Sequence, residues 1–165
     1  MNGTRIGTLL AATLTTGLMA GLYFAYACSV MPGLRATDDR TMVGTMQSIN
    51  VAILNGWFLL VFVGAPLLTL AAGAVHLPSG GRAALPWVAA GLALNVVAFG
   101  VTAVANVPLN NALDAAGPLD QITDLAAVRA HFEGAWIRWN IVRTIATTAA
   151  FGCLGYALVL THRPR

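Results

Sequence analysis

Four long apolar stretches constrain the fold of this chain more than any other feature. They cover residues 6–30, 51–75, 85–107 and 141–160. A helix needs about 20 apolar residues to cross the hydrocarbon core of a bilayer, and each stretch has that length. The first three contain no charged residue and no histidine, and Arg143 is the one charge of the fourth. The sequence therefore predicts an all-α integral membrane four-helix bundle, formed as a single domain over residues 1–165.

The distribution of charge limits the partners and indicates an orientation. All nine basic residues are arginines, spread along the chain without a basic cluster, so we expect no nucleic-acid partner. Four spans place both termini on one side, which carries four of the arginines and none of the six acidic residues. The positive-inside rule is nearly balanced on these counts. We predict a multi-pass protein of the bacterial cell membrane with both termini in the cytoplasm.

The links between the spans carry turn and helix signals. Met31-Pro32-Gly33 predicts the end of the first helix, and Pro78-Ser79-Gly80-Gly81 predicts a tight turn between the second and third spans. After Thr37-Asp38-Asp39, the spacing of Met42, Met46, Ile49 and Ile53 predicts a short amphipathic helix that leads into the second span.

The second half of the chain predicts one long final helix. Pro108, Gly117 and Pro118 argue against a continuous helix in the third link. From about Leu125 to Leu160 the pattern is helical without a break, so the first four turns of this helix should extend out of the membrane.

Polar side chains form a stripe on each of the last two spans. On the third span the stripe is Asn95, Thr102 and Asn106. On the last helix, residues spaced 4, 3, 4, 3 and 4 apart share one face, with His131 and Arg138 almost opposite; the stripe is Arg129, Glu133, Trp136, Asn140, Arg143 and Thr147. Because lipid offers amides no hydrogen bonds, we expect the two stripes to face each other.

Each stripe has a structural and a functional interpretation. Asn and Thr on membrane helices often serve only to hold helices together. Arg143, a charge inside a span, favours a ligand-facing wall on the last helix. On the first helix, Gly17 and Gly21 predict close helix packing, while Tyr23 and Tyr26 lie elsewhere on the helical wheel.

Several functional classes are disfavoured. None of the four stretches contains a carboxylate, which argues against a proton-coupled exporter, and none contains a histidine, which argues against a haem bundle. The histidines are split between the two sides and Cys28 and Cys153 lie at different depths, so we expect neither a metal site nor a disulfide.

The chain resembles the DUF1772, anthrone-oxygenase-like integral membrane proteins. The resemblance rests on residues 24–34, on Met46-Gln47-Ser48-Ile49-Asn50, on Asn106-Val107-Pro108-Leu109-Asn110 and on the residues from Arg129 to Thr144. Fungal members of that family oxidise polyketide anthrones to anthraquinones, apparently without metal or flavin. The resemblance implies the same fold, a reaction without a cofactor, and these site residues: Gln47, Asn50, Asn106, Asn110, Arg129, Glu133, Trp136, Asn140 and Arg143.

These residues lead to a hypothesis of cofactor-independent oxygenation in a pocket near the non-terminal side. A hydrophobic aromatic substrate would enter from the bilayer, Arg143, Asn106 and Asn140 would stabilise its enolate, and Trp136 would stack on its ring. Glu133 is the first candidate for the base, because it shares the stripe. His131 is the second, because it falls on the side of the helix opposite the stripe.

A non-catalytic protein is the alternative. Such a protein would bind a lipid or a hydrophobic metabolite, or assist a membrane complex, and the stripes would then be helix and ligand contacts. The sequence also allows a homo-oligomer.

Overall fold

The bundle is built from seven α-helices and two π-helical turns within the part of the chain that the structure, a computed structural model, describes: residues 2–77 and 82–162. The turn predicted at Pro78–Gly81 lies outside the described residues. In chain order the elements are α1 (Asn2–Ala25), a first π turn (Tyr26–Val30), α2 (Met31–Arg35), α3 (Asp39–Ala52), α4 (Gly56–His76), α5 (Leu85–Val101), a second π turn (Thr102–Asn106), α6 (Val107–Ala115) and α7 (Leu125–His162).

Four long helices close into a ring. α7 packs against α1 and α5, α1 also packs against α4, and α4 packs against α5. The described residues contain four helices that are long and apolar enough to cross a membrane. Their outer surface exposes large apolar side chains such as Leu18, Trp57, Val104 and Ile145, which lipid would cover. The all-α four-helix prediction is confirmed, and the architecture fits an integral membrane protein.

The long final helix is also confirmed. α7 has 38 residues without interruption. At 1.5 Å per residue it is about 57 Å long, roughly twice the ~30 Å hydrocarbon core of a bilayer. Its first turns therefore extend beyond the membrane and carry α2, α3 and α6 packed around them.

The helix end predicted at Met31-Pro32-Gly33 is wrong, whereas the third link is not one continuous helix, as predicted, although its break comes at Gly117 and Pro118 and not at Pro108. The helical path continues through Pro32 to Arg35 and through Pro108 to Ala115. A five-residue π turn lies before each proline, with one residue between the turn and the proline. The backbone N–H of that residue donates to the carbonyl five positions earlier: Met31 to Tyr26, and Val107 to Thr102. This wider turn shifts the hydrogen-bond register just before a residue that has no N–H to give, so the helix accommodates each proline.

The amphipathic helix is confirmed, with a boundary that differs from the prediction. Asp38 caps α3 and accepts from the backbone N–H of Thr41 at 3.0 Å. Hydrogen bonds from the Thr41 backbone and hydroxyl lower the pKa of Asp38, which keeps the cap ionised at neutral pH. The second span begins at Gly56 instead of Val51, because the chain breaks at Leu54 and the Asn55 side chain caps α4.

Asn95 of α5 connects three helices by hydrogen bonds. Its amide nitrogen donates to Thr16 of α1 at 3.0 Å and to Thr69 of α4 at 3.1 Å. Asn95 also borders a small cavity together with Thr147 of the α7 stripe, so it lies near that stripe as expected but makes its side-chain hydrogen bonds to α1 and α4. Asn95 serves the interhelical role that buried amides commonly have in membrane bundles.

The two glycines of the first helix differ in their packing. A Cβ added at Gly17 would lie 2.9 Å from the Phe151 ring, so Gly17 does permit close approach to α7. No described atom lies within 4 Å of the corresponding position at Gly21. Phe24 and Cys28, which follow on that face, are exposed. Close packing on this face is thus limited to Gly17.

We predict that Gly91→Ala destabilises the α5–α7 contact. The new Cβ would lie 3.0 Å from two carbons of Leu154, a fully buried side chain. Overpacking costs about 1–3 kcal/mol, against which alanine gains at most about 1 kcal/mol in helix propensity. Gly100→Ala on the same helix is the matched control, because no described atom lies within 4 Å of its added Cβ. Thermal unfolding in detergent should give the lower midpoint for Gly91→Ala; equal midpoints would contradict the packing.

Candidate functional site

One cavity of about 150 Å³ lies at the end of the bundle opposite the termini. It is bounded by the end of α1, the start of α4, the second π turn and the middle of α7, and α3 lies across it with Met46, Ile49 and Asn50. Its walls are mostly apolar, for example Leu22, Phe58 and Phe62. A polar group inside this cavity would therefore act in a medium of low dielectric constant.

The opening of the cavity is apolar as well. Leu54, Leu59 and Val107 line the cavity, and 68%, 44% and 41% of their respective surfaces are exposed. Leu59 and Val107 belong to helices that are apolar enough to span a membrane. A hydrophobic ligand could thus enter from the bilayer without crossing a charged surface.

Arg143 supplies the charge of the cavity and is itself buried, with 5% of its surface exposed. Its guanidinium lies over the ring of Tyr23, at 4.3 Å from the centroid, and at 5.4 Å from the ring of Trp136. The face of an aromatic ring attracts a cation. Nη2 donates to Asn140 Oδ1 at 2.9 Å and Nη1 to Thr102 Oγ1 at 3.4 Å.

The charge of Arg143 is not neutralised by a carboxylate among the described residues, where every ion pair lies elsewhere. Within the same part of the chain its buried Nε also finds no hydrogen-bond acceptor. Burying an unpaired charge is costly, and buried polar groups normally have partners. An electron-rich group beside this guanidinium would lower that cost.

Asn140 holds Arg143 in place rather than lining the cavity. While Oδ1 accepts from Arg143, its nitrogen donates to the backbone carbonyl of Tyr23 at 3.0 Å. Both halves of this amide are therefore used within the protein. Asn140 connects the guanidinium of α7 to the end of α1.

Asn106 contributes the second unsatisfied atom. Its nitrogen donates to the Trp136 carbonyl at 3.4 Å, and its buried Oδ1 finds no donor among the described residues. Asn110 accepts from Trp136 Nε1 at 2.9 Å and so fixes the indole, which also packs against Tyr26 at 5.4 Å. Two residues that line the cavity beside its aromatic rings thus each hold a buried polar atom without a hydrogen-bond partner among the described residues, Arg143 Nε and Asn106 Oδ1.

Glu133 and Arg129 do not line the cavity. Glu133 accepts from Arg129 Nε at 2.6 Å and from Arg35 Nε at 2.7 Å. Arg129 also bonds Asp39 at 3.1 Å and the backbone carbonyls of Arg35 and Thr37. This ion cluster ties the segment around α2 and α3 to α7. Two guanidinium groups occupy the Glu133 carboxylate, which leaves it poorly placed to act as a base on a ligand.

His131 is separated from the cavity too. Its side chain is exposed and borders a different groove, between α6 and α7, with Leu109 and Phe132. Its position on the helix opposite the stripe explains this separation. Neither candidate base is therefore brought to the cavity.

Gln47 and Asn50 attach α3 to α6. Gln47 Nε2 donates to the carbonyls of Leu113 and Gly117 at 3.0 and 3.1 Å, while Asn50 Nδ2 lies 3.5 Å from Asp114 Oδ1. Asn50 also lines the cavity, whereas Gln47 does not. Arg40 adds an ion pair with Asp120. These contacts hold α3 over the cavity.

Comparison with known proteins decides the family. The family model described as anthrone oxygenase matches residues 57–153, which is more than half of the chain. No curated protein and no solved structure matches. The chain belongs to the anthrone oxygenase family.

The residues matched to the anthrone oxygenase family run from α4 to most of α7. They contain Thr102, Asn106, Asn110, Trp136 and Arg143, and so most of the polar wall of the cavity. Tyr23 and the α3 residues lie outside the matched range. No group of three or more His, Cys, Asp or Glu that could hold a metal occurs in the described residues.

The sequence did not point to Tyr23, which the structure places directly against Arg143. The glycines had drawn attention to another face of the first helix. The sequence nevertheless held a signal for this contact. Tyr23 and Tyr26 are three residues apart near the end of the first span, and Arg143 lies near the start of the fourth span, so all three lie at the same side of the membrane.

We predict that Arg143→Met leaves the empty protein at least as stable as wild type. Removing an uncompensated buried charge gains several kcal/mol of desolvation, which exceeds the roughly 1–3 kcal/mol lost by leaving Asn140 Oδ1 unpaired. Arg138→Met, an exposed site on the same helix, should change stability by less than about 0.5 kcal/mol. Thermal unfolding of both variants in detergent measures the difference. A large loss of stability confined to Arg143→Met would show that the arginine is structural.

Proposed function

We propose that the protein oxidises an aromatic, polyketide-like substrate with molecular oxygen in the cavity at Arg143, without a bound cofactor. The observation that carries the proposal is the buried guanidinium of Arg143, which has an unused N–H and lacks a carboxylate among the described residues. Membership of the anthrone oxygenase family supports the choice of substrate class.

The proposed chemistry begins with the carbonyl oxygen of an anthrone-type ketone at Arg143 Nε. Loss of a proton from the ring CH₂ opposite the carbonyl gives an enolate, whose charge develops at that oxygen. A preorganised cation in a water-poor site stabilises such a charge much more than water does. Asn106 Oδ1 would accept a hydrogen bond from a neighbouring phenolic hydroxyl of the substrate.

The oxidation balances with oxygen alone. The enolate carbon adds O₂ to give a peroxide, which is protonated to the hydroperoxide. Loss of the remaining C–H proton and cleavage of the O–O bond turn this carbon into a carbonyl and release one water. The CH₂ group supplies four electrons, one oxygen atom enters the quinone, and the other leaves as water. The reaction requires no external reductant.

The size of the cavity sets how such a substrate would lie. A dry apolar cavity of about 150 Å³ accommodates a single benzene ring, whereas ligand sites for larger molecules exceed about 300 Å³. We therefore propose that one ring lies inside against Tyr26 and Trp136, and that the rest of the substrate extends through the apolar opening at Leu54 and Leu59. This position keeps the hydrophobic rings in contact with the bilayer.

A non-catalytic role follows from the same observation and is the second candidate. A protein that only binds a hydrophobic anion would use Arg143 Nε in the same way. The two candidates differ in turnover, because a binding protein would take up the phenolate or enolate and leave it unchanged.

We also propose that the protein lies in the bacterial cell membrane with its termini in the cytoplasm. Several arginines on the other side have partners within the fold, namely Arg35, Arg40 and Arg129 in ion pairs and Arg143 in the cavity. Contacts within the fold therefore account for the arginines on this side, and counting them says little about the orientation of the protein in the membrane. The cavity would then open near the outer face of the membrane.

We predict that the purified protein converts a hydroxylated anthrone to its quinone faster than buffer does. With ¹⁸O₂, mass spectrometry should find one labelled atom in the quinone and the other in water. Arg143→Met should lose at least about 100-fold in rate, the scale of a lost oxyanion contact, while Arg138→Met keeps the wild-type rate. Tight binding of the anthrone without acceleration would establish the non-catalytic alternative instead.

We predict that reporters fused to the C-terminus identify a cytoplasmic end. A green fluorescent protein fusion should fluoresce, and an alkaline phosphatase fusion should be inactive, since phosphatase needs the oxidising periplasm. The same reporters placed after Ala36 provide the control and should behave in the opposite way. An active phosphatase at the C-terminus would reverse the orientation.

A further inference from the structure

We infer that the Tyr23 hydroxyl is the group that takes and returns protons during the oxidation. This inference rests on the proposed function, which needs a base for the ring CH₂ and an acid for the peroxide. The structure separates both bases suggested by the sequence, Glu133 and His131, from the cavity. The question is therefore which side chain inside the cavity can exchange a proton.

The lining of the cavity leaves few choices. Among the described residues it contains no carboxylate, histidine or cysteine, and Arg143 stays protonated. Two phenols remain, Tyr23 and Tyr26. A phenol can act as donor or as acceptor, so either could move a proton.

Position favours Tyr23 over Tyr26. The Tyr23 ring lies 4.3 Å from the Arg143 guanidinium, and 4% of the Tyr23 surface is exposed. Tyr26 packs its ring against Trp136 and is more open. Tyr23 therefore sits beside the same cation that would hold the substrate oxygen.

Arg143 and ionised Tyr23 also stabilise each other electrostatically. A buried guanidinium without a carboxylate needs a negative partner, and a tyrosinate needs a cation in a medium of low dielectric constant. When Tyr23 loses its proton, the two side chains form a neutral pair, and this form of the empty site is the one that reacts. When the substrate enolate forms, Tyr23 has become neutral, and the enolate replaces it as the partner of Arg143. The net charge of the site stays constant through the step.

The proton steps balance around Tyr23. Tyrosinate removes the first CH₂ proton and becomes a phenol. The enolate carbon forms a C–O bond with O₂, and Tyr23 then protonates the resulting peroxide. The regenerated tyrosinate removes the second C–H proton as the O–O bond breaks and hydroxide leaves. Hydroxide takes that proton from Tyr23 and departs as water, which restores the tyrosinate.

Few other groups can affect the titration of Tyr23. Arg143 of α7 faces it, and Tyr26 on its own helix shares the cavity. The neighbours from α4 are Phe58, Phe62 and Ala65, and none of them titrates. A pH profile of the reaction should therefore report this one phenol beside one guanidinium.

The test uses Tyr23→Phe, which keeps the aromatic face under Arg143 and removes the hydroxyl. Anthrone binding should stay within about threefold of wild type, while the rate of quinone formation should fall by at least about 100-fold, the lower range for a general acid–base residue. Tyr156→Phe is the matched control, because it removes the phenol of a tyrosine that does not line the cavity, and it should keep the wild-type rate.

A second measurement distinguishes proton transfer from a structural role. Replacement of Tyr23 by a fluorotyrosine of greater acidity, through an expanded genetic code, should move the rising limb of the rate–pH profile to lower pH. Ultraviolet difference spectra should show a tyrosinate band that titrates over the same range and is absent in Tyr23→Phe.

Each outcome decides the inference. Full activity of Tyr23→Phe, or an unchanged pH profile with fluorotyrosine, would overturn the role of Tyr23 and leave the proposed oxidation standing. Loss of anthrone binding together with the rate would make Tyr23 a structural residue. A wild-type protein that never forms quinone would overturn the proposed function and this role together.

Discussion

The burial of one guanidinium is the interaction on which this site depends. Arg143 lies between the rings of Tyr23 and Trp136 and is fixed by Asn140 and Thr102, yet no carboxylate of the described residues neutralises it. A soluble protein would solvate such a charge, but here the surroundings are hydrocarbon and aromatic rings. The cost of keeping the charge there is several kcal/mol, which a fold of this size retains for a function more readily than for stability.

The two π turns give the cavity its shape. One residue separates each turn from the proline that follows it, Pro32 or Pro108. Each turn contributes side chains to the cavity, Tyr26 from the first and Thr102 and Asn106 from the second. A π turn inserts one residue into the helix and thereby rotates the residues that follow, a device often found at functional sites. The helices consequently continue beyond the prolines, and α6 can meet α3 over the cavity instead of leading into a loop.

The polar stripes in the sequence predicted many residues of the site, but they did not show which of these residues line the cavity. The contacts of Arg143 with Thr102 and of Asn106 with the backbone of Trp136 agree with two polar stripes that face each other. The stripe on α7 is longer than the cavity, however, so Arg129 and Glu133 fall into an ion cluster outside the cavity. A helical wheel gives the angle of a residue but not the depth at which neighbouring helices close over it. For the same reason the stripe on α5 did not show that Asn95 bonds Thr16 and Thr69.

The sequence by itself determined that this chain forms four apolar helices with one arginine inside the last, because length and hydrophobicity alone decide which segments can cross a bilayer. It also determined the long final helix and the amphipathic helix, since local periodicity carries both. Only the tertiary structure decided that Tyr23 lies under Arg143, that α3 covers the cavity and that Glu133 is bound by two arginines. Except for the local pair of Arg129 and Glu133, those facts depend on contacts between residues far apart in the chain, such as Arg35 and Glu133 at 98 positions, which no local pattern of residues encodes.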